Sequence, residues 1–330
     1  VNMTAPLQGV IADSTVAPVS MDDVPALTEL MCRVSVATIG EPDTTPDEVR
    51  DDLIGSRFDI TQDTALVTMN DGRAVVYAQA YDEHDERGFI DVFVDPDFVD
   101  DVFAQVADLA VGASLDRLRA LVKARSGKST IAGAGLYQGE TRMMSAYQRA
   151  GFQTERVYWR MRIDLTNAAT PAPSLPDGVR IVRVDPDDDE VMAAALQLRN
   201  ETFRGHHGHV DLQFSEYAEV WRDASKYDRE GWWFAYLNNE LVGISLNDDG
   251  KVDEGAGYVR TLGVKESARG RGIAKALLLT TFEDYAKRGR TSVQLGVDAA
   301  NETGATRLYE NAGMSSFMAI DALAMEVRVD

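Results

Sequence analysis

Short apolar, β-branched runs bounded by turn residues recur along the chain, and two sets of them match. Thr64-Ala-Leu-Val-Thr-Met, Asn70-Asp-Gly72 and Ala74-Val-Val-Tyr-Ala-Gln read as strand, tight turn, strand. Gly231-Trp-Trp-Phe-Ala-Tyr, Asn238-Asn-Glu240 and Leu241-Val-Gly-Ile-Ser-Leu repeat that pattern. Later in each half stands a helical run ending at glycine: Ala146-Tyr147-Gln-Arg-Ala-Gly151-Phe, then Leu308-Tyr309-Glu-Asn-Ala-Gly313-Met. Gly72 and Asn239 are 167 positions apart, and Gly151 and Gly313 are 162 apart. Two landmarks with nearly equal offsets predict a duplicated domain.

Between the copies lies Asn167-Ala-Ala-Thr-Pro-Ala-Pro-Ser-Leu-Pro-Asp-Gly178, whose three prolines exclude helix or central strand and read as a linker. The expected organisation is a first domain over 1–166, a linker over 167–178 and a second domain over 179–330. Each half opens with a short strand (15–19; 179–184), followed by Ser20 or Asp185 as a helix start. The second half then predicts helices over 189–202 and 216–224, the hairpin and a strand over 257–264. A helix over 273–288, a strand over 292–297, a helix over 304–311 and a last strand over 316–328 complete it. Helices between strands predict an α/β class with a mixed sheet.

Composition narrows the function classes. The 330 residues are 45% apolar and 26% charged, a globular profile. At roughly 150 residues per domain the length suits two cores. With 33 basic against 54 acidic side chains the formal charge is −21, which opposes nonspecific binding to nucleic acid or anionic membrane. The lone cysteine, Cys32, forms no internal disulfide, and no zinc-type spacing is present. No run approaches the ~18 apolar residues of a membrane span, and residues 1–9 lack a signal pattern. A cytoplasmic protein is expected.

Against this acidic background, Arg260 to Arg290 holds eight basic residues and three acids. Within it, the strand Tyr258-Val-Arg-Thr-Leu-Gly-Val264 leads into Lys265-Glu-Ser-Ala-Arg269-Gly-Arg-Gly-Ile-Ala274 and a long helix. Unpaired N–H groups at a helix start, at the positive end of its dipole, form an anion cradle. Gly270 and Gly272 allow a close backbone approach to phosphate. Arg and Lys add charge-assisted bonds, so a polyphosphate ligand is expected.

Leu262-Gly-Val264 followed by Arg269-x-x-Gly272-x-Ala274 resembles the coenzyme A signature of the GNAT superfamily of acyl-CoA-dependent N-acetyltransferases. Gly296-Val-Asp-Ala-Ala-Asn301-Glu-Thr-Gly-Ala-Thr-Arg-Leu-Tyr309-Glu-Asn-Ala-Gly313-Met resembles the family's second block. The resemblance implies two tandem GNAT-like domains, each a mixed, mostly antiparallel sheet flanked by helices. It implies that Leu262, Gly263 and Val264 line the pantetheine arm of acetyl-CoA. Arg269, Gly270, Arg271, Gly272, Ile273, Ala274 and Lys275 would then hold the pyrophosphate. Asn301 would bond the cofactor arm, and the Tyr309 hydroxyl would protonate the leaving thiolate.

The implied reaction is direct attack of a primary amine on the thioester, which requires a base. Glu254 and Asp253, just before the strand, are the nearest carboxylates, whereas tandem members of the superfamily carry a glutamate further along, where this chain has Tyr258. His206, His207 and His209 lie in a loop between the two helices and are further candidates. That loop has no cysteine or carboxylate spacing in support of a metal, so no metal is expected. The acceptor is expected to be a small primary amine, with acidic steering favouring a cationic one. A non-catalytic acyl-CoA-binding or sensing protein is the alternative. Nothing in the sequence reports the oligomeric state.

In the first half, Asp91-Val-Phe-Val-Asp-Pro takes the place of the strand, but Asp97-Phe-Val-Asp-Asp101 follows it, acidic and without glycine. Such a turn repels pyrophosphate, and this half reads as a degenerate copy that retains Tyr147. Gly127-Lys128-Ser129 resembles the end of a phosphate loop, yet the early glycine that motif needs is Val122.

Overall fold

A computed structural model of the chain describes residues 2–54, 59–84, 87–165, 175–204, 211–222, 227–301 and 304–329. The first half runs β1 (Ser14–Ala17), α1 (Val24–Ile39), α2 (Pro46–Ile54), α3 (Ile60–Asp63), β2 (Thr64–Met69), β3 (Ala74–His84), β4 (Arg87–Val94), α4 (Asp100–Ala124), β5 (Ser129–Tyr137), α5 (Thr141–Ala150) and β6 (Gln153–Asp164). The second runs β7 (Val179–Arg183), α6 (Asp189–Phe203), α7 (Phe214–Arg222), β8 (Trp232–Leu237), β9 (Glu240–Asp248), β10 (Ala256–Val264), α8 (Ile273–Lys287), β11 (Ser292–Asp298), α9 (Ala305–Asn311) and β12 (Ser315–Arg328). The expected elements of the second half are present, with ends shifted by a few residues.

Local chemistry accounts for several boundaries. Near the first helix start the Asp23 carboxylate accepts the Ser20 N–H at 2.8 Å, the capping arrangement anticipated at Ser20. Asp188, rather than Asp185, caps α6 by accepting the Glu190 N–H at 2.8 Å. The β8–β9 turn places Asn238 and Asn239 at positive φ, 50° and 69°. That is the geometry asparagine tolerates best after glycine.

Contacts divide the chain into two compact units: Val1–Tyr158 with Met318–Asp330, and Trp159–Phe317. In unit 1 the strands are ordered β1-β2-β3-β4-β5 followed by β12; β4 and β5 are parallel and the other pairs antiparallel. In unit 2 the order is β6-β11-β10-β9-β8-β7, with β10 and β11 parallel and β7 to β10 antiparallel. Each unit is therefore a mixed, mostly antiparallel sheet flanked by helices, as expected.

The units do not follow the linear division at 1–166 and 179–330. Met161, Ile163 and Leu165 are buried in the core of unit 2, with Val293, Leu295 and Phe282. Leu323 and Val327 are buried in the core of unit 1, beneath α4. Each such side chain contributes about 1.5–3 kcal/mol on burial, so the end of β12 belongs energetically to the first-half unit. Most of the expected linker, 167–174 of 167–178, lies outside the described residues.

Candidate active site

Strands β10 and β11 pair in parallel from Ala256↔Ser292 to Val259↔Leu295, and the pairing ends there. On its other edge β10 remains bonded to β9 through Val264↔Gly243, with a bulge between Val259 and Thr261. A bulge turns one residue out of register and bends its strand, here at Arg260. Residues 260–264 of β10 thus present backbone along an edge that β11 has left. This split opens towards the turn before α8.

In that turn Gly270 and Gly272 have φ of 74° and 79°, the left-handed conformation that favours glycine. A Cβ on Gly270 would meet nothing within 4 Å. Gly272 is the N-cap of α8, and no side chain caps the helix there. The first N–H groups of a 15-residue helix therefore face outward beside glycine. Arg271 and Lys275 are exposed. Ile273 is buried and Ala274 half-buried against the core beneath α8, so these two hold the helix in place.

The basic residues counted in the sequence do not form one patch. Arg288 pairs with Asp228 at 2.6 Å and Arg290 with Asp249 at 2.8 Å. Lys287 pairs with Glu283, Lys265 with Glu240, and Arg260 with Asp248. Arg269 is exposed but tied to backbone: its Nε donates to the Val264 carbonyl at 3.2 Å and its NH2 group to the Thr202 carbonyl at 3.5 Å. Arg271 and Lys275 of the turn face solvent too.

Leu262 is half-buried against the cores on the α8 side. Gly263 faces α6, where a Cβ would stand 2.6 Å from the Thr202 hydroxyl oxygen. That closeness explains the glycine by helix–strand packing. Val264 is buried and packs against Ile273 and Leu277 in the same cluster.

Tyr309, on α9, is 8% exposed and lies in the apolar cluster with Val259, Val297 and Leu278. Burial pushes its phenol up to about 12, so the group holds its proton at neutral pH. Asn301 follows β11, its N–H bonded to the Asp298 carbonyl at 3.0 Å. Tyr258 stands one residue before the split, and its hydroxyl lies 3.4 Å from where a Cβ on Gly296 would be. Its phenol thus overhangs the first residue of β11 beyond the pairing.

Glu254 approaches the same strand pair from its other end. It ends a short 3-10 turn ahead of β10, paired with Lys251 at 2.8 Å and accepting from Gln294 Nε2 at 3.1 Å. Gln294 lies opposite Tyr258 in the β10–β11 register, one pair before Val259↔Leu295, so the Glu254 carboxylate borders the same strand pair. Asp253, beside it, is exposed on the same turn. His206, His207 and His209 lie outside the described residues. Sequence reasoning did not anticipate the pair of Arg260 and Asp248 under Trp221, whose ring lies 5.6 Å from the guanidinium carbon. A lone arginine in an apolar strand is its only sequence signal.

Among the described residues no group of three His, Cys, Asp or Glu is placed to hold a metal ion. Among them, too, no helix is long and apolar enough to cross a membrane.

A parallel strand pair that parts beside a glycine-bearing helix start defines a class, and comparison with known proteins identifies it. Residues 185–314 match the acetyltransferase (GNAT) family. That stretch of the chain is similar to a GNAT acetyltransferase domain. It is 35% identical over 171 residues to a mycothiol acetyltransferase of Thermobispora bispora, covering 50% of this chain and 56% of that protein. A mycothiol acetyltransferase of Thermomonospora curvata is 31% identical over 179 residues, again 56% of its length. The chain thus matches little more than half the length of these curated relatives. A GCN5-related N-acetyltransferase from Sphaerobacter thermophilus superposes with a TM-score of 0.81 at 26% identity, covering 96% of this chain and 97% of that one. A tandem GNAT protein from the clavulanic acid biosynthesis pathway superposes with a TM-score of 0.71 at 14% identity, over 96% and 99% of the two chains. The fold is that of tandem GNAT proteins.

Proposed function

We propose that unit 2 transfers an acetyl group from acetyl-CoA to the nitrogen of a small primary amine. The observation that carries this reading is the parting of β10 from β11 after Val259 and Leu295, next to the side-chain-free start of α8. The donor's shape and charge fit what is present. Its pantetheine arm carries amides that an unpaired strand edge at 260–264 can bond, in the manner of an added strand. Its pyrophosphate suits the α8 N–H groups, Gly270, Gly272, Arg271 and Lys275. Arg269 supports the turn from behind, and Asn301 borders the split on the β11 side.

Acetyl-CoA supplies a thioester carbonyl as electrophile. The acceptor nitrogen forms the new C–N bond, the C–S bond breaks, and the sulfur must gain a proton while the nitrogen loses one. Tyr309 is suited to the first proton: its phenol is protonated at neutral pH and sits behind the split. Glu254 is held by Lys251 and Gln294, so proton removal from the amine is assigned to a water path bordered by the Tyr258 hydroxyl. Tyr258, Arg260 and Trp221 would then border the acceptor's approach, and the overall negative charge favours a cationic amine.

The test is release of free thiol from acetyl-CoA in the presence of a panel of primary amines, with product mass measured. Amine-dependent thiol release with a product heavier by one acetyl group is expected. CoA binding without amine-dependent release would leave a binding or sensing protein instead.

A further inference from the structure

Unit 1 repeats the strand split with opposite chemistry. Its parallel pair, β4 and β5, is bonded only from Arg87↔Ile131 to Phe89↔Gly133. Beyond that the strands enclose a cavity of about 170 Å³. At ~30 Å³ per water in the liquid this is the volume of roughly six waters, the scale of a cavity that holds one small aromatic molecule. Phe103, Met143 and Val34 line it together with three carboxylates, Asp91, Asp43 and Glu140. No lining residue is basic.

Two of those carboxylates have structural duties. Asp43 accepts the Tyr137 hydroxyl at 3.0 Å, and Glu140 caps α5 by accepting the N–H groups of Arg142 and Met143. Asp91 is different. One of its oxygens accepts Gln79 Nε2 at 2.6 Å, and Gln79 in turn accepts the Tyr77 hydroxyl at 2.6 Å. This relay fixes the carboxylate's orientation without neutralising it. Burial pushes its pKa up, and among the described residues no basic group opposes the shift. Burial alone favours the neutral acid, so a cation seated beside Asp91 would favour the ionised carboxylate, most of all when it also fills the cavity.

The surroundings disfavour a phosphate ligand in the same place. Asp95 ends the strand and already engages Arg33 and Arg73, at 3.2 and 3.1 Å. Asp100 and Asp101 occupy the first turn of α4, where an anion would otherwise be held.

We propose that the split of unit 1 binds a small organic cation, a primary ammonium on a compact apolar body, with Asp91 as its counter-ion. The test uses the full chain labelled with ¹³C-methyl methionine, the Met143 signal being assigned with Met143→Leu. It is titrated with 2-phenylethylamine, with the neutral 2-phenylethanol, and with CoA. The expected result is a saturable shift of the Met143 methyl with the amine and binding of the alcohol at least about tenfold weaker, the scale of a lost charged hydrogen bond. Asp91→Asn should weaken the amine to the level of the alcohol. Should that variant fail to fold, the amine–alcohol comparison in the unmodified chain decides alone. Equal binding of amine and alcohol, an unmoved Met143 signal, or displacement of the amine from Met143 by CoA would each overturn the proposal. Amine bound only at unit 2 leaves Met143 unmoved and counts against it, whatever the acetylation assay shows.

Discussion

The Tyr258 hydroxyl lies 3.4 Å from the point where a side chain on Gly296 would begin. The two residues stand on the paired strands β10 and β11, Tyr258 just before and Gly296 just after the last parallel bond. A phenol therefore marks the mouth of the split. Tyr258→Phe should leave CoA affinity unchanged and lower kcat/KM for the amine by about 10–100-fold, at or below the usual range for an acid–base group. Steady-state kinetics beside a CoA titration separates these effects; equal losses in both would make Tyr258 a packing residue.

Tyr309→Phe should keep the fold and CoA affinity and lower turnover by about 10²–10⁴-fold. Tyr147, its counterpart, is buried in unit 1 and its Phe variant should turn over like the parent. The pH profile adds a check. With the folded phenol near 12, Tyr309 produces no alkaline loss of kcat below about pH 11. In the unfolded chain the phenol titrates near ~10, so from there to about 12 the unfolded state releases protons that the native state keeps. Native stability must therefore fall with rising pH across that window, and Tyr309→Phe should make the fall shallower in alkaline denaturation.

Arg269 and Arg271 should separate although they are two residues apart. Arg271→Ala and Lys275→Ala should weaken CoA binding in a salt-dependent way, each by roughly tenfold, with the melting temperature unchanged. Arg269→Ala removes the donors to the Val264 and Thr202 carbonyls and should lower stability by about 1 kcal/mol. Paired calorimetry and thermal melts read both quantities.

Glu254→Gln should change kcat less than about threefold, far below the loss of a general base. The same change weakens the hold on Lys251, which is only 6% exposed, so the melting temperature should drop. A loss of kcat of a hundredfold or more would return the base to Glu254.

Leu323 lies opposite Ala134 and is buried in the core of unit 1. Leu323→Ala should cost about 2–5 kcal/mol. Hydrogen exchange should show the loss in β4, β5 and α4, while α8 and β11 keep their protection. Loss confined to the second unit would contradict the division of the chain.

The order of elements in unit 2 was readable because each carries its own local signal: Asn238-Asn239 at the hairpin, the glycines before α8, and apolar runs of strand length. The two glycines of the turn before α8, both at positive φ, are legible for the same reason. Charge was less so. Eight basic residues near one another in sequence are dispersed by a helix and two strands, and Arg260, Arg288 and Arg290 meet aspartates from other segments. The sharing of β6 and β12 between the units carried no signal, since an alternating strand specifies a buried face and not which sheet receives it. Nearness in sequence points to Glu254, and the bond that holds it comes from Gln294 on β11, a partner that no local pattern announces.

The most direct test is a calorimetric titration of acetyl-CoA into the full chain and into Gly272→Val. At φ of 79°, a β-branched side chain distorts the α8 start and shields its N–H groups. The expected result is one site per chain in the parent and loss of that site in the variant, with hydrogen exchange in unit 1 unchanged. Two equivalent sites, or one site with the same affinity in both proteins, would contradict the assignment of the acetyl-CoA site to unit 2.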